Sequence, residues 1–144
     1  MKIAYLRPDG GVSVIIPAID EMDEVRKAIP ADAVATLETD ALPSRAYRDA
    51  WTLSGGAVRH DMAKARTLKM AEIRAQRDKR LAETDGPFMR AQEQAPAEIP
   101  ALKAKRQALR DLPATVDLSG ITDAAAAMRI VHRALDETAG HTVF

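Results

Sequence analysis

The first sixty residues alternate short apolar runs with turn-forming residues, a pattern typical of small antiparallel β structures. Residues 2–6 (KIAYL) and 12–16 (VSVII) are such runs, and the Asp-Gly pair between them supplies the positive φ angle that a hairpin turn needs. A second hairpin is predicted around residues 54–56 (SGG), which also lie between two short apolar runs. We therefore expect residues 1–58 to form a small β-rich domain.

The segment between the two hairpins predicts one short helix and one further strand. Apolar residues recur at helical spacing over residues 20–28, and acidic residues occupy the first turn of this stretch. Residues 33–39 have the character of a third strand. Trp51 is the single tryptophan, and we expect it to close the core of the sheet, because a lone Trp in a small β domain is usually buried.

After residue 59 the spacing of apolar positions becomes helical. Asp61 is a favourable N-cap, and the following residues contain no Gly or Pro through residue 84, which predicts a helix over about 61–84. Gly86-Pro87 is expected to end this helix, and residues 88–100 are expected to be an irregular connection. A second helix is predicted over 101–112, where Pro113 would end it.

A third helix is predicted over residues 122–137, with Thr122 as its cap. Its apolar residues follow a single stripe at positions i, i+4, i+7 and i+11, namely Ala124, Met128, Val131 and Leu135. The predicted fold class is therefore α+β. A small N-terminal antiparallel β domain (1–58) is followed by a helical arm (59–144) that contains a helical hairpin and a C-terminal helix.

The first long helix carries two apolar stripes. One consists of Met70, Ile73 and Leu81, and the other, about a third of a turn away, consists of Leu68, Ala71, Ala75 and Ala82. A helix with two stripes is expected to contact two bodies, and small side chains allow a partner helix to approach closely. The alternative is that the β domain and the hairpin use both stripes within the chain.

Charge is balanced over the 144 residues but not along them. Lys and Arg together number 21, as do Asp and Glu; residues 59–110 contain 13 basic and 7 acidic side chains, and the segments on either side are acidic. The basic segment could lie against those acidic parts, against a second copy, or against an acidic or nucleic-acid partner. Aromatic residues make up only 3%, which disfavours stacking on bases, so nucleic acid is the weaker choice.

The sequence contains no recognisable catalytic or metal-binding pattern. It has no Cys, and its three histidines do not share metal-ligand spacing with one another or with a carboxylate. Phosphate-binding and nucleophile motifs are also missing. We expect a protein that is not an enzyme and uses no metal or cofactor. We also expect a soluble chain without an export signal or membrane span.

Three arginines, Arg74, Arg77 and Arg80, form a loose basic ridge at i, i+3 and i+6 of the first long helix. One interpretation is a solvated face whose charges pair with nearby carboxylates on the same helix. The other is a ridge that meets an acidic partner and steers its association.

Two phrases, RDKRLAETD at residues 77–85 and RQALRDLP at 106–113, resemble the closing motif of phage tail fibre assembly and tail assembly chaperone proteins. The segments 8–17 (PDGGVSVIIP) and 48–51 (RDAW) are similar to uncharacterised proteins encoded among phage tail genes. The resemblance spans roughly residues 1–113.

The resemblance implies a non-enzymatic phage tail protein that acts in attachment or assembly of the tail fibre or tail tip. It would be either an assembly chaperone in the host cytoplasm or an adaptor resident in the virion tail, and it could self-associate. A small regulatory or nucleic-acid-binding protein using the basic helix 59–80 is the alternative. The candidate partner-binding residues are Leu68, Ala71, Ala75, Arg74, Arg77, Arg80, Arg106 and Arg110.

Overall fold

The structure, a computed structural model, describes residues 1–18 and 21–127. Its strands are β1 (Lys2–Leu6), β2 (Val12–Ile15), β3 (Ala35–Thr39), β4 (Trp51–Ser54) and β5 (Ala57–His60). Its helices are α1 (Met22–Arg26), α2 (Met62–Glu83), α3 (Asp85–Gln94) and α4 (Ile99–Thr115). Short 3-10 turns occur at Arg48–Ala50 and Pro96–Glu98. Antiparallel strands followed by long helices confirm the predicted α+β class.

Both predicted hairpins are present. Strand β1 lies in the centre of a three-stranded antiparallel sheet in the order β2-β1-β3, and β4 pairs with β5 in a separate antiparallel ribbon. In the first turn Gly10 has a φ of 81°, and the Asp9 carboxylate accepts a hydrogen bond of 2.8 Å from the backbone N–H of Gly11. The turn residues therefore fix the register of the first hairpin as the sequence predicts.

A small apolar core lies on one face of the three-stranded sheet. Trp51 is only 2% exposed and packs with buried Ala4, Val12 and Val58, which confirms its predicted role. The indole N–H donates to the backbone oxygen of Ser44 at 3.2 Å. The burial of a large aromatic ring whose polar atom is also satisfied makes this cluster the main stabilising feature of the strands.

The chain divides into two compact units, residues 1–65 and residues 66–144. We call the second the helical unit, and the structure describes it as far as residue 127. The division predicted between residues 58 and 59 stays a prediction.

The start of α2 follows the prediction closely. The Asp61 carboxylate accepts hydrogen bonds from the backbone N–H groups of Ala63 and Lys64 at 3.0 and 3.2 Å. These are two of the amides that a helix leaves unpaired at its N-terminus, so Asp61 acts as the N-cap.

The predicted irregular connection over residues 88–100 is wrong. Helix α3 begins at Asp85, so Gly86 and Pro87 lie inside its first turn rather than after a helix end. Pro87 has no N–H to donate to the carbonyl of Glu83, and its ring would crowd that carbonyl, so the break occurs one turn earlier, at Thr84. In the first turn of a helix the backbone N–H groups have no intrahelical acceptor, so Pro87 does not destabilise α3 by lacking one.

Pro113 also fails to end its helix where predicted. Helix α4 continues to Thr115 with Pro113 inside its last turn. Only one backbone hydrogen bond is lost there, and the Thr115 hydroxyl and the Val116 N–H both donate to the carbonyl of Leu112, at 3.0 and 3.1 Å. Because Leu112 is also buried, its packing helps to hold this turn in place.

The predicted C-terminal helix is described only at its beginning. Residues 124–127 are helical, and the Asp123 carboxylate accepts a hydrogen bond of 2.6 Å from the backbone N–H of Ala126. Asp123 therefore holds the cap position that the sequence analysis gave to Thr122. Residues 128–137 of the predicted helix lie outside the described residues.

Candidate partner-binding surface

The break between α2 and α3 brings the two sequence phrases together. Thr84 lies at the break, its side chain is buried, and its hydroxyl donates to the carbonyl of Leu81 at 2.6 Å. From α4, the Arg106 guanidinium donates to the Thr84 hydroxyl and to the Asp85 carboxylate, both at 2.6 Å. One residue of the second phrase thus binds two consecutive residues of the first.

Arg106 is held on a third side by an aromatic ring. Its guanidinium carbon lies 5.3 Å from the centre of the Phe88 ring, within the range of a cation–π contact. Its side chain is 18% exposed, against 60% for that of Asp85. We call Arg106, Thr84, Asp85 and Phe88 the arginine lock, because together they fasten the start of α3 to the middle of α4.

Helix α2 presents one buried column and one exposed stripe in the helical unit. Lys69, Ile73 and Thr84 are buried and lie on one face of the helix, which we call the buried column. Ala71, Ala75 and Ala82 are exposed. Residues four and seven positions apart share a helix face, so these three alanines form one exposed stripe of small side chains.

The structure places the other predicted partner-binding residues around this stripe or away from it. Leu68 is half-buried beside the stripe and Arg74 is exposed at its edge. Arg110 is exposed on α4. Arg106 belongs to the arginine lock, and its Nη1 donates both of the hydrogen bonds described above within the chain.

The basic ridge is mostly paired along its own helix. Arg77 bonds to Asp78 at 2.8 Å and Arg80 to Glu83 at 3.3 Å. Arg74 has no ion pair with any residue in the described ranges 1–18 and 21–127. The ridge is therefore a set of partly neutralised charges, in which Arg74, next to the alanine stripe, is the member without an ion pair to any described residue.

Two further cations of α2 lie inside the helical unit. Lys69 is only 2% exposed and forms an ion pair of 3.2 Å with Glu72. Arg66 donates to the backbone oxygen of Ile121 at 2.8 Å, which ties α2 to the segment before the last helical turn. The burial of Lys69 was not predicted from the sequence. It could have been, because Lys69 lies four residues before Ile73 and therefore on the same helix face.

Three titratable groups, Asp9, His60 and Asp117, contact backbone groups of loops. The pKa of Asp117 is lowered by hydrogen bonds from the side chain and backbone of Ser119, and the pKa of Asp9 is lowered by the Gly11 N–H and then by Arg7. A ring nitrogen of His60 lies 2.7 Å from the backbone oxygen of Ala46. Each of these groups holds a loop in place.

Among residues 1–18 and 21–127, no group of three or more His, Cys, Asp or Glu side chains could hold a metal ion. His132 and His141 lie outside those ranges. No helix in the described part of the chain is both long enough and apolar enough to cross a bilayer.

The described geometry is that of a small α+β protein whose helical unit presents an exposed stripe of small residues. Residues 70–122 of this chain match the family described as phage tail assembly chaperone protein. This confirms the predicted resemblance for that segment, which is similar to phage tail assembly chaperones. No curated protein and no solved structure matches the chain.

The matched segment contains both sequence phrases and the whole arginine lock. The match supports a role in phage tail assembly, through interaction with phage tail proteins. The similarity predicted for residues 8–17 and 48–51 lies outside the match and stays a prediction.

Proposed function

We propose that this protein is a non-enzymatic tail assembly chaperone that binds a tail fibre or tail tip protein through its helical unit. The observation that carries the proposal is the family match over residues 70–122, which coincides with the helices joined by the arginine lock. Its place of action would be the host cytoplasm during tail assembly. An adaptor that remains in the virion tail is the second form of the same role.

The docking face that we propose is the alanine stripe of α2, formed by Ala71, Ala75 and Ala82. Small exposed side chains let a partner helix approach the backbone closely, and half-buried Leu68 adds apolar area beside them. The free cation of Arg74 at the edge of the stripe would favour a partner with carboxylates beside its apolar contact. This chemistry fits a protein partner or a second copy of the chain.

Nucleic-acid binding by residues 59–80 has weaker support. Several of its basic side chains are already used: Lys64 donates to the backbone oxygen of Gly10, Arg66 to that of Ile121, and Arg77 and Arg80 pair with carboxylates. A phosphate-binding helix needs such groups free. Binding to duplex DNA that falls steeply with added salt would instead favour this alternative.

Co-purification from phage-infected cells tests the proposed docking face. Ala75→Trp places a large ring in the middle of the stripe and should abolish recovery of the fibre or tip protein with the tagged chain. Gln76→Trp is the matched control, because residue 76 is also exposed but lies about 100° around the helix. Equal recovery with both variants would remove the stripe from the proposal.

Mass spectrometry of purified particles separates the two forms of the role. A chaperone should be missing from complete virions, whereas a resident adaptor should be present in a few copies per particle. Recovery of the protein in complete virions would replace the chaperone form with the adaptor form.

A further inference from the structure

The helical unit contains an open cleft that the arginine lock does not fill. Its volume is about 330 Å³, and it lies between the end of α2, the start of α3 and the middle of α4. Pro87, Leu102 and Leu109 supply its apolar surface. Leu109 is 1% exposed, so it forms the floor of the cleft.

The rim of this cleft is positively charged. Arg80 and Glu83 lie on the α2 side and Lys105 on the α4 side. Arg80 and Glu83 bond to each other at 3.3 Å, and their side chains are 43% and 48% exposed. Lys105 is exposed and forms no ion pair within the described ranges, which leaves one uncompensated cation at the mouth of the cleft.

The polar group at the back of the cleft is already satisfied. The Thr84 hydroxyl accepts from Arg106 and donates to Leu81, so it has no hydrogen atom left to offer a ligand. A small polar ligand would therefore find few groups that fix its orientation. An apolar side chain fits this surface better, provided that a negative charge accompanies it at the rim.

We propose that this cleft binds a short segment of the partner tail protein in which an apolar side chain is flanked by carboxylates. The apolar anchor lies against Leu102 and Leu109, and a flanking carboxylate meets Lys105. This inference rests on the proposed function, since it names the chemistry of the partner. Charge complementarity carries it, because Lys105 at the mouth of the cleft is an exposed cation without an ion pair in the described part of the chain.

The first test uses a fluorescent peptide of alternating Asp and Leu as the probe, with full-length protein and polarisation as the readout. Lys105→Glu turns the rim attraction into repulsion and should weaken binding roughly fivefold, a change consistent with exposed ion pairs. Lys103→Glu is the matched control, because it makes the same change of charge elsewhere on α4 and should leave affinity within about twofold. Leu102→Ser should weaken binding of the peptide by a factor that stays the same when the salt concentration is raised, because the substitution changes no charge.

Three results with the peptides would overturn the cleft proposal. They are equal weakening by Lys105→Glu and Lys103→Glu, preference for a peptide of alternating Lys and Leu, and no saturable binding of the Asp-Leu peptide. Two further results would assign the cleft to another occupant and so overturn the proposal as well: duplex DNA competes with the peptide, or sedimentation shows that the peptide binds only to a self-associated form of the protein. Circular dichroism of each variant verifies that the helices remain folded.

A second test uses infected cells and places the photo-reactive residue p-benzoylphenylalanine at position 105, with position 103 as control. The expected result is a cross-link from position 105 to an Asp- or Glu-flanked apolar segment of a tail protein. If only position 103 cross-links, or if 105 cross-links to a basic segment, the cleft proposal is wrong. In that case, loss of tail-protein recovery with Ala75→Trp would still support the proposed function. Failure of the cleft proposal can therefore be distinguished from failure of the proposed function.

Discussion

Replacing Arg106 with Ala should destabilise the helical unit measurably, because one side chain joins three elements of the arginine lock. The substitution removes the hydrogen bonds to Thr84 and Asp85 and the contact with the Phe88 ring. It leaves Thr84 bonded to Leu81, so no buried hydroxyl is stranded. The expected loss is therefore that of the contacts themselves.

Three contributions set the size of the effect. A hydrogen bond to the buried Thr84 hydroxyl contributes about 1 kcal/mol. The bridge to Asp85, whose side chain is 60% exposed, contributes only about 0.5 kcal/mol. The guanidinium over Phe88 adds roughly 0.5 kcal/mol at a partly exposed site. The free energy of unfolding should fall by about 2 kcal/mol in total.

Urea unfolding followed by far-UV circular dichroism measures this loss. Arg110→Ala is the control, since Arg110 is exposed and forms no ion pair within the described residues, and it should change stability by less than about 0.5 kcal/mol. A double-mutant cycle with Thr84→Val should give a coupling energy of about 1 kcal/mol. If the two arginine variants unfold at the same urea concentration, the arginine lock has no stabilising role.

Substitutions at three further positions test other parts of the account. Leu109→Asp should lower the stability by about 3 kcal/mol or more because it buries an unpaired charge, and an unchanged thermal melt would exclude the packing described for α4. Asp61→Ala should cost about 1 kcal/mol through loss of the α2 cap, while Asp61→Asn should retain most of it in the same melts. The pKa of Asp9 is lowered first by the Gly11 N–H and then by Arg7, so its carboxylate stabilises the fold above pH 3.8 and this contribution is lost as the pH falls further. The difference in melting temperature between wild type and Asp9→Asn should accordingly shrink in acid, and a difference independent of pH would contradict this.

The β hairpins were predictable from sequence because their turn chemistry is local. Asp9-Gly10 and Gly55-Gly56 each require positive φ angles, and Gly10, Gly55 and Gly56 adopt them at 81°, 58° and 70°. The N-cap at Asp61 was predictable for the same reason, since its partners lie two and three residues further along the chain.

The helix boundaries around prolines were harder to predict. A proline both ends a helix and fits the first turn of the next one, so Pro87 alone does not distinguish a loop from a new helix. The buried residue of this segment, Ala91, carries little apolar signal because its side chain is small. Pro113 stays inside α4 because buried packing of Leu109 and Leu112 outweighs one missing hydrogen bond.

The candidate partner-binding surface could be predicted only in part from the sequence. Helical spacing separated the exposed alanine stripe from the column that includes Ile73, because that property depends on one helix alone. The arginine lock forms only because α4 lies within hydrogen-bonding distance of the break at Thr84. That distance is a property of the tertiary structure and could not be predicted from helical spacing. The sequence singled out both phrases and proposed Arg106 as a partner-binding residue, but the bond to Thr84 became evident only in the fold.

Deletion of the gene from the phage, followed by complementation, tests the central claim most directly. Electron microscopy of the deletion particles should show heads filled with DNA and defective or missing tail-end structures. Wild-type protein and Gln76→Trp should restore complete tails, and Ala75→Trp should not. Normal, fully infectious particles from the deletion would contradict a role in tail assembly in either form.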